Sequence, residues 1–129
     1  MTKLGRLSKT ETEVMQTIWG LAAPVTVAQL LQIFEKSKCW KTSTLATILL
    51  RLTEKGFLTK TMKGKVGYYD MTLTLDEYRQ HETQSMLQTL HGGSVKNFMA
   101  ALVDNSNFTQ KDIEELNEWF QSKVGEHND

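Results

Sequence analysis

The order of local patterns constrains this fold most, because three helical patterns come first and two short strand patterns follow them. Ser8 and Glu11 form a capping box that predicts a helix over residues 9–22, before Pro24. A second capping pattern starts at Thr26 and predicts a short helix that ends near Lys36. Apolar residues recur at helical spacing in both segments, so each helix has one face for a shared core.

A third helix is predicted to begin near Thr42 and to end at Gly56, which favours a left-handed cap. One stripe of this helix is apolar: Leu45, Ile48, Leu49 and Leu52. The opposite face carries Ser43, Thr44, Thr47, Leu50, Arg51 and Glu54. Such a face suits a DNA groove, because small polar side chains allow close approach and arginine pairs with guanine or phosphate. Any exposed helix face can show the same pattern, so the helix alone leaves both interpretations open.

Two strand patterns follow the third helix. Residues 57–62 and 68–73 are rich in β-branched and aromatic residues, and the segment 63–67 between them supplies the glycines of a turn together with Lys63 and Lys65. Three helices and a hairpin predict a winged helix-turn-helix in a mostly α fold with a small β-hairpin. In that fold the third helix enters the major groove and the hairpin lysines lie along the phosphates.

The charges are strongly divided along the chain, although 15 basic and 15 acidic residues give a net charge of zero. Residues 1–70 hold 11 basic against 5 acidic residues, and residues 71–129 hold 4 against 10. Residues 36–65 contain eight basic residues and a single acidic residue, Glu54. This excess is typical of a polyanion-binding surface, with a solvated lysine-rich face as the alternative.

The second half of the chain is predicted to form a helical dimerisation arm. Three helices are expected to begin near Thr74, Ser94 and Thr109, and the first of them ends at Gly92. Their apolar stripes include Val95, Phe98, Met99, Leu102, Val103, Ile113, Leu116 and Phe120. About 55 residues of short helix make a weak independent core, so we expect these stripes to pack against a second copy of the chain. The alternative is that they fold back on the winged helix. The predicted domains are therefore 1–74 for DNA binding and 75–129 for dimerisation.

Residues 7–19, 40–56 and 67–69 resemble the penicillinase repressor family, and the similarity extends over nearly the whole chain. The most specific part is the pattern formed by Trp40, Thr44, Thr47, Arg51 and Gly56. The resemblance implies a dimeric winged-helix transcriptional repressor that binds an inverted-repeat operator. It further implies base contacts from Thr44, Thr47 and Arg51 and backbone contacts from Lys41, Ser43, Lys63 and Lys65. Thr42 and Lys55 complete the predicted DNA-binding set.

The chain departs from the pattern of two branches of that family. The copper branch carries a cysteine-rich C-terminal motif, whereas residues 123–129 contain no cysteine. The β-lactam branch is inactivated by cleavage of an Asn–Phe bond in its fifth helix, and Ala101-Leu102 occupies the matching place here, one turn after Asn97-Phe98. The operator, the regulated genes and the inducing signal or protease therefore stay open.

Motifs of the common enzyme classes are missing from the sequence. It contains no glycine-rich phosphate loop, no H-E-x-x-H, no G-x-S-x-G and no paired carboxylates in an apolar setting. We therefore expect no enzyme, no catalytic residue, no cofactor and no metal site. The single cysteine, Cys39, excludes an intrachain disulfide and is predicted to be a small buried apolar residue.

The remaining expectations concern location and an alternative function. No apolar run approaches the roughly 20 residues that span a bilayer, and the first residues lead into polar sequence. This predicts a cytoplasmic protein without a membrane partner. The alternative function is a winged-helix protein–protein interaction module without specific DNA binding, which would not require the basic excess.

Overall fold

The computed structural model describes residues 4–104 and 107–127. These residues form six helices and one two-stranded antiparallel sheet, as predicted. In chain order the elements are α1 (Lys9–Trp19), α2 (Val27–Phe34), α3 (Thr42–Glu54), β1 (Leu58–Lys63), β2 (Val66–Met71), α4 (Leu75–His91), α5 (Val95–Val103) and α6 (Gln110–His127). The chain divides into two compact units between Gln80 and His81, a point inside α4.

A single apolar core holds the first unit together. All three helices before the hairpin turn one stripe into it, and the hairpin closes it from the other side. Its buried residues are Val14, Met15, Ile18, Val25, Leu30, Phe34, Leu45, Ile48, Leu49, Leu52, Phe57, Leu58 and Tyr69. The helical spacing of these side chains in the sequence is the reason that the three helices converge on one core.

The ends of α1 and α2 follow from local hydrogen bonds. The backbone N–H of Ser8 donates to Glu11 Oε1 at 2.8 Å, and the Glu11 N–H donates to Ser8 Oγ at 3.2 Å, so the predicted capping box is present. Thr26 and Gln29 form the same box at the start of α2. The predicted end of α1 at residue 22 was wrong, because Gly20 caps the helix and the last turn tightens into i→i+3 bonds.

The hairpin is tighter than the sequence indicated. β1 and β2 pair in a register that runs from Leu58 opposite Met71 to Lys63 opposite Val66. The turn therefore contains Gly64 and Lys65 alone, so the predicted strand limits and the five-residue turn were wrong. Gly64 has φ +64° at the first central position, as a type II′ turn requires, and glycine adopts this conformation without a steric penalty.

A backbone pairing outside the two strands ties the α1–α2 loop to the hairpin. The Val25 N–H donates to the Tyr69 carbonyl at 2.8 Å, and the Tyr69 N–H donates back to the Val25 carbonyl at 2.8 Å. Nothing in the sequence predicted this bridge, since the two residues are far apart in the chain. It gives the edge of β2 a partner and fixes the hairpin relative to the helices.

An ion pair with a buried carboxylate and a partly exposed lysine joins the start of α1 to the end of α3. The Lys55 ammonium lies 2.5 Å from Glu11 Oε1 and also donates to the Arg6 carbonyl at 2.7 Å. Burial opposes ionisation of Glu11, but hydrogen bonds from Lys55 and Ser8 and the charge of Lys55 outweigh it, so the pKa of this carboxyl lies below its ordinary value. Gly5 packs against the Lys55 stem, where a Cβ would lie 2.8 Å from Cγ.

The second unit contrasts with the first, because the part of it that the structure describes encloses no comparable core. Ser94 caps α5 by accepting a hydrogen bond from the Asn97 N–H at 3.1 Å, and Thr109 caps α6 in the same way with Asp112. No residue among those described between 81 and 125 is buried. The apolar stripes of α5 and α6 therefore lie largely at the surface of this chain.

We predict that Glu11→Gln lowers the free energy of unfolding by roughly 1–3 kcal/mol at about pH 7, because it leaves Lys55 without its counter-charge. Since the folded pKa of Glu11 is lowered, its contribution is complete above the unfolded pKa and is lost as the pH falls through the folded pKa. The difference between variant and parent should therefore shrink in urea titrations at about pH 3.

Glu13→Gln is the matched control for this experiment. Glu13 lies on the same helix and pairs with Lys38 at 3.0 Å, but both side chains are about one third exposed. Because neither side chain of the Glu13–Lys38 pair is buried, the pair contributes little, and the control should unfold within about 0.5 kcal/mol of the parent. An equal loss for Glu11→Gln at both pH values would refute an electrostatic role for Glu11.

Candidate nucleic-acid interface

The outward face of α3 carries most of the predicted DNA-binding residues. Leu45, Ile48, Leu49 and Leu52 are buried, and their burial turns the other side of the helix to solvent. The exposed predicted residues on α3 and its first flanking position are Lys41, Thr42, Ser43, Thr44, Thr47 and Arg51. The structure therefore brings six of the nine predicted residues onto one helix.

The start of α3 differs from the starts of the other helices. Ser8, Thr26, Thr74, Ser94 and Thr109 each cap a helix with their hydroxyl oxygen. At α3 the N-cap residue is Lys41, whose side chain makes no capping hydrogen bond. The first N–H groups of this helix, those of Thr42 and Ser43, point away from the helix at its N-terminus, which carries a partial positive charge. Such a helix start is suited to a phosphate.

Two side chains in the middle of α3 present complementary hydrogen-bonding groups. Thr47 Oγ1 donates to the Ser43 carbonyl at 2.9 Å, so its hydroxyl hydrogen is engaged and its lone pairs remain as acceptors. Arg51 lies one turn later and is exposed, and it has no ion-pair partner among the described residues. The helix thus offers an acceptor and a five-donor guanidinium on adjacent turns.

The hairpin supplies a second group of cations, with two of its lysine side chains resting on tyrosine rings. Lys63 Nζ lies 5.2 Å from the centre of the Tyr68 ring, and Lys60 Nζ lies 5.6 Å from that of Tyr69. Cation–π contact and packing of the stems restrict these side chains. Lys65 is exposed in the turn itself. Lys63 and Lys65 therefore place two positive charges at the tip of the hairpin.

Lys55 is set apart from the other predicted DNA-binding residues. Its ammonium is held by Glu11 and by the Arg6 carbonyl, and its side chain is 32% exposed. The sequence pattern grouped it with the other lysines because a contact with a residue 44 positions away has no local signal. The geometry gives Lys55 a role in holding the end of α3 against α1.

The eight predicted dimerisation residues lie on α5 and α6. Val95, Leu102, Val103, Ile113 and Phe120 are exposed, whereas Phe98, Met99 and Leu116 are partly buried. Five of the eight line an open apolar concavity of about 210 Å³ together with Phe108 and Asn117: Met99, Val103, Ile113, Leu116 and Phe120. Two more apolar side chains of α6, Trp119 and Val124, are each 52% exposed, and Val124 continues the stripe four residues after Phe120.

Cys39 is exposed, so its predicted burial was wrong. It precedes Trp40, whose ring packs on Phe34 with 5.0 Å between ring centres, so it is the tryptophan and not the cysteine that contacts the core here. Among residues 4–104 and 107–127, no three His, Cys, Asp or Glu side chains are grouped to hold a metal ion. No helix in the described part of the chain is long and apolar enough to span a membrane.

Comparison with known proteins agrees with this arrangement. The penicillinase repressor family model matches residues 7–122. The penicillinase repressor of Bacillus licheniformis is 27% identical over 116 residues, which cover 90% of each chain. A 16.5 kDa protein of Latilactobacillus sakei, from the ptsI 3′ region, is 31% identical over 92% of this chain and 80% of its own.

A solved structure supports the assignment of the first unit. The DNA-binding domain of the repressor BlaI superposes with a TM-score of 0.52 and 31% identity, covering 60% of this chain and 94% of that domain. The predicted winged helix-turn-helix is thereby confirmed. Because the family model matches residues 7–122, most of the chain, the chain belongs to the penicillinase repressor family.

Proposed function

We propose that this protein is a dimeric transcriptional repressor that binds an inverted-repeat operator through α3 and the β1–β2 hairpin, and that it acts in the cytoplasm, where operator DNA is found. The observation that carries the proposal is the two-sided character of α3. One stripe anchors the helix in the core, and the other side presents hydroxyls and Arg51 to solvent beside a cationic hairpin. The relatedness to a penicillinase repressor and to the DNA-binding domain of BlaI supports it.

Each exposed residue has a role that follows from its chemistry. Arg51 can bind guanine O6 and N7 in a bidentate manner, and the Thr47 oxygen can accept from an amino group at a base edge, with Thr44 one turn before it. Lys41, Ser43 and the amides at the start of α3 would contact phosphates. Lys63 and Lys65 add phosphate contacts from the hairpin tip.

Dimerisation through α5 and α6 is the second part of the proposal. Exposed apolar side chains concentrate on these two helices, and an apolar concavity lies among them. A patch of this kind on a single chain marks an interaction surface. A second copy is the economical partner, because a two-fold pair of chains matches the two-fold symmetry of an inverted repeat.

We predict that Arg51→Ala weakens binding to the specific operator by about 1–3 kcal/mol and leaves the thermal unfolding midpoint unchanged. Arg51→Lys is the matched variant, because it keeps the positive charge and loses the planar pair of donors. In gel-shift titrations the lysine variant should bind random duplexes as the parent does and still lose operator preference. Equal operator affinity for parent and alanine variant would rule out this role for Arg51.

We predict that Lys63→Ala combined with Lys65→Ala weakens binding to all duplexes alike and reduces the slope of log affinity against log salt by up to about two units. The control is Lys96→Ala with Lys111→Ala, two exposed lysines of the second unit. Fluorescence anisotropy at several salt concentrations measures the slopes. A shallow slope for the parent protein would instead favour the protein–protein interaction module.

We predict that Val103→Asp combined with Phe120→Asp converts the dimer to a monomer, because it places charges in the apolar concavity. Two half-sites bound by a linked pair of chains act at high effective concentration, so the variant should lose affinity for the full operator and bind a half-site as the parent does. Sedimentation equilibrium gives the mass. Ile33→Asp, at an exposed apolar residue of α2, should remain dimeric. A monomeric parent at tens of micromolar would overturn the dimer.

A further inference from the structure

Leu50 is an unusual residue on the outward face of α3. The other leucines and the isoleucine of this helix are buried in the core, whereas the Leu50 side chain is 56% exposed. Exposure of one leucine has no consequence on an ordinary surface. Here the exposed leucine lies among the groups proposed to meet DNA, so its chemistry bears on which base it faces.

Helix geometry places Leu50 in the middle of that face. At about 3.6 residues per turn, positions 43, 47, 50 and 54 fall on one side of a helix, opposite the buried stripe. Thr47 lies one turn before Leu50, and Arg51 is its neighbour in sequence at the edge of the same face. A leucine between an acceptor and a guanidinium would be among the first side chains to meet base edges if α3 enters a major groove.

We infer that Leu50 is a specificity-determining residue that contacts the C5-methyl group of a thymine in each operator half-site. This inference rests on the proposed DNA-binding role of α3. Leucine has no hydrogen-bonding atom, and thymine alone among the four bases presents an apolar group in the major groove. Facing any other base, Leu50 would cover donors or acceptors without replacing the water they lose.

The neighbouring groups sharpen this selection. Because the Thr47 hydroxyl hydrogen bonds the Ser43 carbonyl, Thr47 presents its oxygen lone pairs, as an acceptor, beside Leu50. Arg51 donates only and therefore favours guanine at an adjoining pair. Leu50 thus provides an apolar base contact between two hydrogen-bonding ones. Thymine and cytosine are both pyrimidines, and this contact favours thymine because only thymine carries the methyl group.

Replacement of thymine by uracil tests the contact, since uracil lacks only the methyl group. The probe is a duplex selected by the full-length protein from a randomised pool, with each thymine in turn replaced by uracil. At one thymine per half-site the parent should bind about four-fold more weakly, and about fifteen-fold more weakly when both half-sites are replaced. Leu50→Ala should bind the thymine and uracil duplexes equally.

Two further variants control for packing and for general apolar exposure. Leu50→Met retains apolar contact and should keep most of the difference between thymine and uracil. Ile33→Ala removes an exposed apolar side chain of α2 and should retain the full difference in affinity between thymine and uracil duplexes. An unchanged difference in Leu50→Ala, or a parent protein insensitive to uracil at every thymine, would overturn the Leu50 contact alone. Failure to select any duplex over random sequence would overturn the proposed function as well.

Discussion

Burial of one stripe of α3 is the constraint on which the rest of the structure depends. Leu45, Leu49 and Leu52 are fully buried in the core with side chains of α1, α2 and the hairpin, so rotation of α3 about its axis would expose them and is strongly disfavoured. That fixed rotation decides which residues face solvent. The ion pair between Glu11 and Lys55 adds a second restraint at the far end of the helix. The proposed DNA-binding surface is therefore the side of α3 that faces away from the core.

The two units have opposite physical characters, and the proposed function needs both. The first unit encloses most of its large apolar side chains in one core and leaves cations at its surface, whereas α5 and α6 expose apolar side chains in an acidic part of the chain. A polyanion binds where cations are exposed, and a second chain covers apolar surface. The proposed DNA contacts and the proposed dimer contacts therefore belong to separate parts of the chain.

The sequence predicted elements whose signals are local and missed contacts between distant residues. Capping boxes and helical spacing identified the helices of the first unit, and the glycines identified the hairpin. The Val25–Tyr69 bridge and the Glu11–Lys55 pair were missed, because the partners are 44 residues apart and neither contact alters the local pattern. For the same reason Lys55 was grouped with lysines that face solvent. The predicted DNA and dimer contacts remain proposals.

Hydrogen exchange of individual amides, with and without operator duplex, tests this division of roles most directly. We expect the duplex to slow exchange at the first turn of α3, at Thr42 and Ser43, and around the Gly64-Lys65 turn. Exchange in α5 and α6 should slow as the protein concentration rises. At concentrations where the chain is already fully dimeric, it should not change when DNA is added. Slowing confined to α5 and α6, with α3 and the hairpin unaffected by the duplex, would contradict a DNA-binding role for the first unit.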